Sequence, residues 1–349
     1  MRIAHIINHL GETGLNNVAL DLINTFIEHE HECKVFYLKD SLQPMLFPCE
    51  TELLRNHNTS IFRDFDIIHV HGLGPSLYIF KHKPWCCHAK VVNTFHNYVF
   101  QDYTSTYGNI KGNCYAFALL TTSIRMDKIV ALSNDAKHYY ERWIPKKKLT
   151  FVYNTRITDR SLVLTKEEKQ ELLHFKGDGV LIGMNGILVK RKGIDIILKA
   201  LRQLPDYFKL YLVGNGEKRK TYEDLAENYG LKERVFFSGN HPKAYRYLPF
   251  YDIFALCSRS EGFPLSLLEA SSFGKNIVCS DLAILQECFS EEEVTFFHSE
   301  DETSLAEAII KAKEKNKGAM ALKKFNKSYS PTVFYNNYLN IYNSLANKK

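Results

Sequence analysis

At 349 residues the chain is too long for most single hydrophobic cores and suits two domains of comparable size. Its hydrophobic share of 45% excludes a disordered chain. The formal charge of +6 is spread along the sequence, which argues against a nucleic-acid partner and suits anionic nucleotides or lipid head groups.

Met1-Arg2 leads straight into Ile3-Ala4-His5-Ile6-Ile7, a short strand pattern ended by Gly11, without the apolar core or cleavage site of a signal peptide. No run reaches the roughly 20 apolar residues of a spanning helix, so the sequence reads as that of a cytoplasmic protein. Gly11-Glu12-Thr13-Gly14 follows as the first strand-to-helix loop, and Cys33-Tyr37 and Ile67-His71 are the next strands. Asp64-Phe65-Asp66 has the spelling of a divalent-metal pair, but at the entrance to a strand it predicts a turn whose Asp side chains bond local backbone, and no metal is predicted. His69 and His71 read as strand-end packing or hydrogen-bonding residues.

Val91-Thr94 is a strand ending near His96. The segment from Asn97 to Gly108 is polar and aromatic without a period, which predicts a loop. Either Asp102, Tyr103 and Tyr107 meet acceptor sugars there, or the tyrosines pack on their own domain. Ile129-Leu132 and Leu149-Tyr153 complete the first set of strands. Trp143-Ile144-Pro145-Lys146-Lys147-Lys148 and Phe80-Lys81-His82-Lys83-Pro84-Trp85 each set an aromatic beside basic residues, the composition of a membrane-surface anchor and equally of a charged turn.

A domain boundary is expected between Asn154 and Lys176, giving domains 1–155 and 156–329 and a last helix within 330–349. Thr165-Lys166-Glu167-Glu168 is a capping box that opens the second domain, and Ser304-Leu305-Ala306-Glu307 repeats the signature. Strands are read at Val180-Met184, Lys209-Val213, Val235-Ser238, Ile253-Cys257, Ile277-Ser280 and Thr295-Phe297. Strands alternating with helical patterns predict an α/β protein of two doubly wound, Rossmann-like parallel sheets. Ser330-Pro331 starts the last helix, whose Phe334, Tyr338 and Tyr342 form a stripe that needs a partner. The eight cysteines are scattered and lack metal-site spacing, so they are read as reduced thiols.

In Glu261-Gly262-Phe263-Pro264-Leu265-Ser266-Leu267-Leu268-Glu269 two carboxylates bracket a helix start, Gly262 permitting a turn and Pro264 suiting the first helical turn. Glu261 should lie on a loop and Glu269 on the following helix, at the carboxyl edge of a parallel sheet, where α/β proteins bind ligands.

This block, with Lys192-Gly193 in GILVKRKGID and Val213-Gly214-Asn215-Gly216, resembles the donor half of a retaining GT-B glycosyltransferase of family 4, the group 1 glycosyl transferases of bacterial surface-polysaccharide synthesis. The N-terminal strings, from Gly11-Glu12-Thr13-Gly14 through Asn93-Thr94-Phe95-His96 to Val152-Tyr153-Asn154, agree in order, and the likeness spans nearly the whole chain. The resemblance implies two Rossmann-like domains facing a hinged cleft, with the last helix crossing back to the first. It implies transfer of a hexose or N-acetylhexosamine from a nucleotide diphosphate sugar, UDP by analogy, to a glycan or lipid-linked oligosaccharide in capsule, lipopolysaccharide or O-antigen synthesis. No cofactor is implied, and contact with the inner membrane surface suits lipid-linked acceptors.

By the same resemblance Lys192 offsets the diphosphate charge, Glu261 holds sugar hydroxyls and Glu269 holds ribose hydroxyls. Gly14, Gly214, Phe263 and Leu265 contribute to nucleotide binding, and His96 meets the transferred sugar. Two departures stand out. The family's Gly-Arg is Gly186-Ile187 here, with Lys190 or Arg191 as replacement cation or as solvated loop charge, and its later Gly-Gly is altered near Asp281-Ala283. The missing arginine keeps a second reading open, a non-catalytic carbohydrate-binding or partner subunit that kept the fold.

Overall fold

The computed structural model describes residues 1–55 and 59–346, so the last three residues of the predicted 330–349 segment lie outside the described residues. The chain divides into two compact units, Met1–Thr155 with Ser330–Lys349, and Arg156–Tyr329.

The first unit is built on seven parallel strands: β1 (Arg2–His9), β2 (Glu32–Lys39), β3 (Thr51–Leu53), β4 (Ile67–His71), β5 (Lys90–Phe95), β6 (Lys128–Ala131) and β7 (Leu149–Phe151). Their order is β3-β2-β1-β4-β5-β6-β7, so the chain winds outward in both directions from β1 and β4. Strand β4 is buried at all five positions, as a central strand covered on both faces must be. The registers His5↔His69 and His71↔Thr94 bring histidines of neighbouring strands onto one face.

The helix Pro331–Ala346 covers that face with its predicted stripe, since Phe334, Tyr338 and Tyr342 are buried. Tyr342 shares a 2.6 Å hydrogen bond with His69 Nδ1, and its ring packs 5.1 Å from that of Phe26. One expectation fails in this unit. The segment after His96 is not a loop, because Val99–Tyr107 is a helix followed by a second one, Asn109–Thr122. No side chain of its own caps the first, and its leading amides donate instead to tyrosines of the helix Asn134–Tyr140, Val99 to Tyr140 and Phe100 to Tyr139.

The second unit carries six parallel strands: β8 (Val180–Asn185), β9 (Phe208–Val213), β10 (Val235–Gly239), β11 (Ile253–Leu256), β12 (Asn276–Ser280) and β13 (Thr295–Phe297), ordered β10-β9-β8-β11-β12-β13. The capping box at Thr165 forms, with Glu168 N donating to Thr165 Oγ1 and Thr165 N to Glu168 Oε2. The one at Ser304 does not. Asp301 caps that helix instead, accepting from the amides of Thr303 and Ser304, while Ser304 Oγ accepts from His298 N. Asp66, read as bonding local backbone, accepts from the distant Arg2 N. Among the described residues no helix is long and apolar enough to cross a membrane.

Candidate functional site

In a parallel sheet the loops leaving the strand carboxyl ends converge, and in the second unit they bring the charged residues together. After β8 the chain turns through a short 3₁₀ segment, Lys190–Lys192, and reaches Gly193 with φ +68°, a left-handed conformation. A Cβ on Gly193 would sit 1.9 Å from the Cys257 carbonyl oxygen, so only glycine lets this turn close against the end of β11. A Cβ on Gly214, whose φ is +149°, would come as close to the Gly186 carbonyl oxygen. Its conservation of space is a packing requirement independent of any ligand.

That closure delivers Lys192 to Glu261. Lys192 Nζ lies 2.5 Å from Glu261 Oε1, which also accepts from Ser258 Oγ at 2.5 Å, while Arg191 Nη1 reaches Glu261 Oε2 at 3.2 Å and the Ser260 carbonyl at 2.9 Å. Glu261 is 8% exposed. Burial by itself would raise its carboxyl, but the charges of Lys192 and Arg191 and the Lys192 and Ser258 hydrogen bonds outweigh it and hold the group below its ordinary value. Of the two candidate replacement cations, Arg191 is therefore tied to Glu261, whereas the Lys190 side chain is exposed. Ile187 is 52% exposed, an apolar side chain on the loop where a cation was expected.

Arg259, which sequence reasoning missed, locks these loops. Its guanidinium makes a forked pair with Asp195 at 2.9 and 2.7 Å, a second with Glu300, and a bond to the Lys190 carbonyl, while its own amide donates to the Arg191 carbonyl.

Glu269 lies on the helix Leu265–Ser272, one of whose ends faces the same loops. Pro264 is the residue before the helix, so Phe263 stands outside it, buried, and Leu265 is its first residue. Among the described residues the amides of Leu265 and Ser266 have no protein partner, an arrangement that attracts anions. Glu269 itself pairs with Arg156 Nε at 2.8 Å, both side chains nearly buried. Burial raises the Glu269 carboxyl above its ordinary value despite that arginine. Nothing near Arg156 in sequence marked it, because its partner is 113 positions away. Asp281, where the family's pattern was altered, accepts from the Ser299 amide and hydroxyl.

The first unit presents a different edge. Gly14 is exposed at the start of the helix Gly14–Glu28, with open space where a Cβ would stand. His96 follows β5, and its Nε2 lies 3.2 Å from His71 Nδ1. His5, His69 and His71 have ring nitrogens within 4.8 Å of one another, yet His69 spends both of its own on Tyr342 and Thr94, and the rings stack. Asp102 accepts from Asn97 Nδ2 at 2.8 Å. Tyr103 is half-buried, burial pushing its hydroxyl up to about 12, and Tyr107 is 52% exposed. Both rings pack with Tyr115 in edge-to-face contacts, so the three predicted acceptor residues lie on one helix beside an aromatic cluster. Trp143 packs on Phe100, and Lys148 is tied to the carbonyls of Ser123 and Ile124, whereas Lys146 and Lys147 stay exposed.

Comparison with known proteins identifies the family. Residues 13–160 match the Glycosyltransferase Family 4 model, and residues 165–329 match Glycosyl transferases group 1. The chain is 30% identical over 362 residues to the O-antigen biosynthesis glycosyltransferase WclY of Escherichia coli, covering 99% of each. Structures of Anabaena HepE in complex with UDP and with UDP-glucose share the fold, with TM-scores of 0.82 and 0.81 at 15% and 16% identity, over 99% of this chain and 100% of theirs. With two adjoining domain models and a full-length relative, the chain belongs to the glycosyltransferases of GT-B fold.

Proposed function

We propose that this glycosyltransferase moves a hexose or N-acetylhexosamine from a UDP-sugar to a hydroxyl of a glycan or lipid-linked oligosaccharide in O-antigen or related surface-polysaccharide synthesis, with retained anomeric configuration. The observation that carries the reading is the pairing of half-buried Lys192 with buried Glu261 on the same loops as the unpartnered amides of Leu265 and Ser266. WclY supports the pathway class by its name, and HepE supports UDP by its bound ligands.

Lys192 and the two amides hold the diphosphate. As the bond from the anomeric carbon to the phosphate oxygen breaks, negative charge grows on the leaving group, so a fixed cation there stabilises the transition state more than the ground state. The acceptor oxygen attacks from the face the phosphate leaves. Its proton passes to the departing phosphate oxygen, and no protein nucleophile is needed. Glu261 keeps lone pairs on Oε2 for sugar hydroxyls, Glu269 takes the ribose hydroxyls, and Phe263 and Gly214 shape the nucleotide pocket. Gly14 offers its backbone to the diphosphate and His96 meets the sugar. Asp102, Tyr103 and Tyr107 receive the acceptor, and Trp143 with Lys146 and Lys147 touches the membrane surface that carries it. The chemistry assigned to these residues needs no metal.

Incubating the protein with a panel of nucleotide sugars and lipid-linked oligosaccharides, and identifying products by mass spectrometry and anomeric NMR, tests the reading. A UDP-sugar is expected to give an α- or β-linked product of the donor's own configuration. Inversion would remove the retaining assignment. Absence of transfer from every donor would favour a non-catalytic subunit, the reading that the exposed Ile187 keeps alive.

A further inference from the structure

Three imidazoles form a file across the first sheet, from the middle of β1 to the carboxyl end of β5. His5 Nδ1 lies 3.5 Å from His71 Nε2, and His71 Nδ1 lies 3.2 Å from His96 Nε2. His5 and His71 are 0% and 1% exposed, and His96 is half-buried. The partners of these rings, and of the neighbouring His69, are other imidazoles and hydroxyls, with no carboxylate among them in the described residues. Burial accordingly lowers His5 and His96 to about 3 and keeps His71 well below its ordinary value, so the file is neutral at physiological pH.

A neutral imidazole carries one N–H and one lone pair. In a file of such rings each bond needs one of each, so a single choice of direction fixes all three tautomers. If the protons point inward, from His96 towards His5, the last N–H is His5 Nε2, which is buried and has no partner. If they point outward, only a lone pair is left unmet at that atom. An orphaned N–H in a protein interior is the rarer and costlier outcome.

We propose that His5 and His71 are positioning residues that lock His96 in the tautomer protonated on Nδ1, so that it presents an N–H donor at the end of β5. That donor suits an oxygen of the transferred sugar and cannot act as a base there. The sugar contact rests on the proposed transferase reading, whereas the tautomer does not.

Two-bond proton–nitrogen NMR of the full chain labelled at histidine, near neutral pH, reads the tautomer directly. His96 is expected with the proton on Nδ1 in the wild-type protein. His71→Phe, which removes the donor, should release His96 to the other tautomer and lower kcat by roughly 10-fold, the scale usual for an orienting partner of a functional histidine, with the donor KM little changed. His71→Asn retains an N–H near the lost Nδ1 and should restore most of both. A proton on His96 Nε2 in the wild type overturns the proposal, as does a His71→Phe protein whose His96 tautomer is unchanged. If no donor supports transfer, the transferase reading fails while the tautomer result still decides the file.

Discussion

The carboxyl edges of the two sheets are built from opposite electrostatics. In the second unit the loops are held by full charges in pairs: Lys192 and Arg191 on Glu261, Arg259 on Asp195 and Glu300, Arg156 on Glu269. In the first, the equivalent edge carries the neutral rings of His71 and His96, backed in the middle of the sheet by His5, His69 and the hydroxyls of Thr94, Tyr338 and Tyr342. Charge pairs of this kind can be traded for an anionic ligand, since a diphosphate can take over a lysine that a carboxylate now holds. Neutral files instead fix the direction of donors, which suits hydroxyl-rich partners that carry no charge.

Five substitutions probe that contrast. The largest effect is expected for Lys192→Ala, which removes the cation nearest the proposed leaving group and should lower kcat by about 10²–10³-fold, read by steady-state transfer assay in a protein whose melting shows it is folded. Gly193→Ala puts a methyl against the Cys257 carbonyl at a left-handed φ, and denaturant unfolding should register a loss of about 2–4 kcal/mol. Arg156→Ala frees Glu269 from its ion pair and leaves the carboxylate poorly placed, so the donor KM should rise by about tenfold, or roughly 1.4 kcal/mol, with kcat changed less.

The smallest effects are opposite pH slopes. Held low, the Glu261 carboxyl contributes stability that is present above the range where an unfolded glutamate titrates, near 4.5, and is lost as the pH falls through its folded value. Glu269 is raised, so its contribution is present at low pH and is lost as the pH rises through its folded value. Melting temperatures across pH 3–7 should show the wild-type advantage over Glu261→Gln shrinking on acidification and that over Glu269→Gln shrinking on alkalinisation. Parallel slopes would break the comparison.

The alternation of strands and helices was legible because parallel strands, buried on both faces, must read as short apolar runs. What escaped was held by distant partners. β3 is only three residues long, Thr51–Leu53, with no apolar run to announce it. The helix Val99–Tyr107 lacks a local cap, and tyrosine hydroxyls about forty positions along supply its capping, although Val99, Tyr103 and Tyr107 recur at helical spacing. Ser304 carried a capping signature, but Asp301, three residues earlier, starts the helix by accepting from Thr303 and Ser304, which leaves Ser304 inside it. In the candidate site, Glu261 on its loop and Glu269 on its helix follow from the residues between them. The meeting of Lys192 with Glu261 depends on a loop closure 69 positions away, and the Arg156 pairing and the histidine file depend on strand order, which no local pattern encodes.

The claim that the charged edge is a nucleotide-sugar site is tested most directly by thermal shift with UDP, GDP, ADP and CMP on the wild type and Lys192→Ala, because a ligand that binds the native state raises the melting temperature. UDP is predicted to stabilise the wild type most, and to lose most of that effect in Lys192→Ala. No stabilisation by any nucleotide, or an undiminished shift in Lys192→Ala, would contradict it.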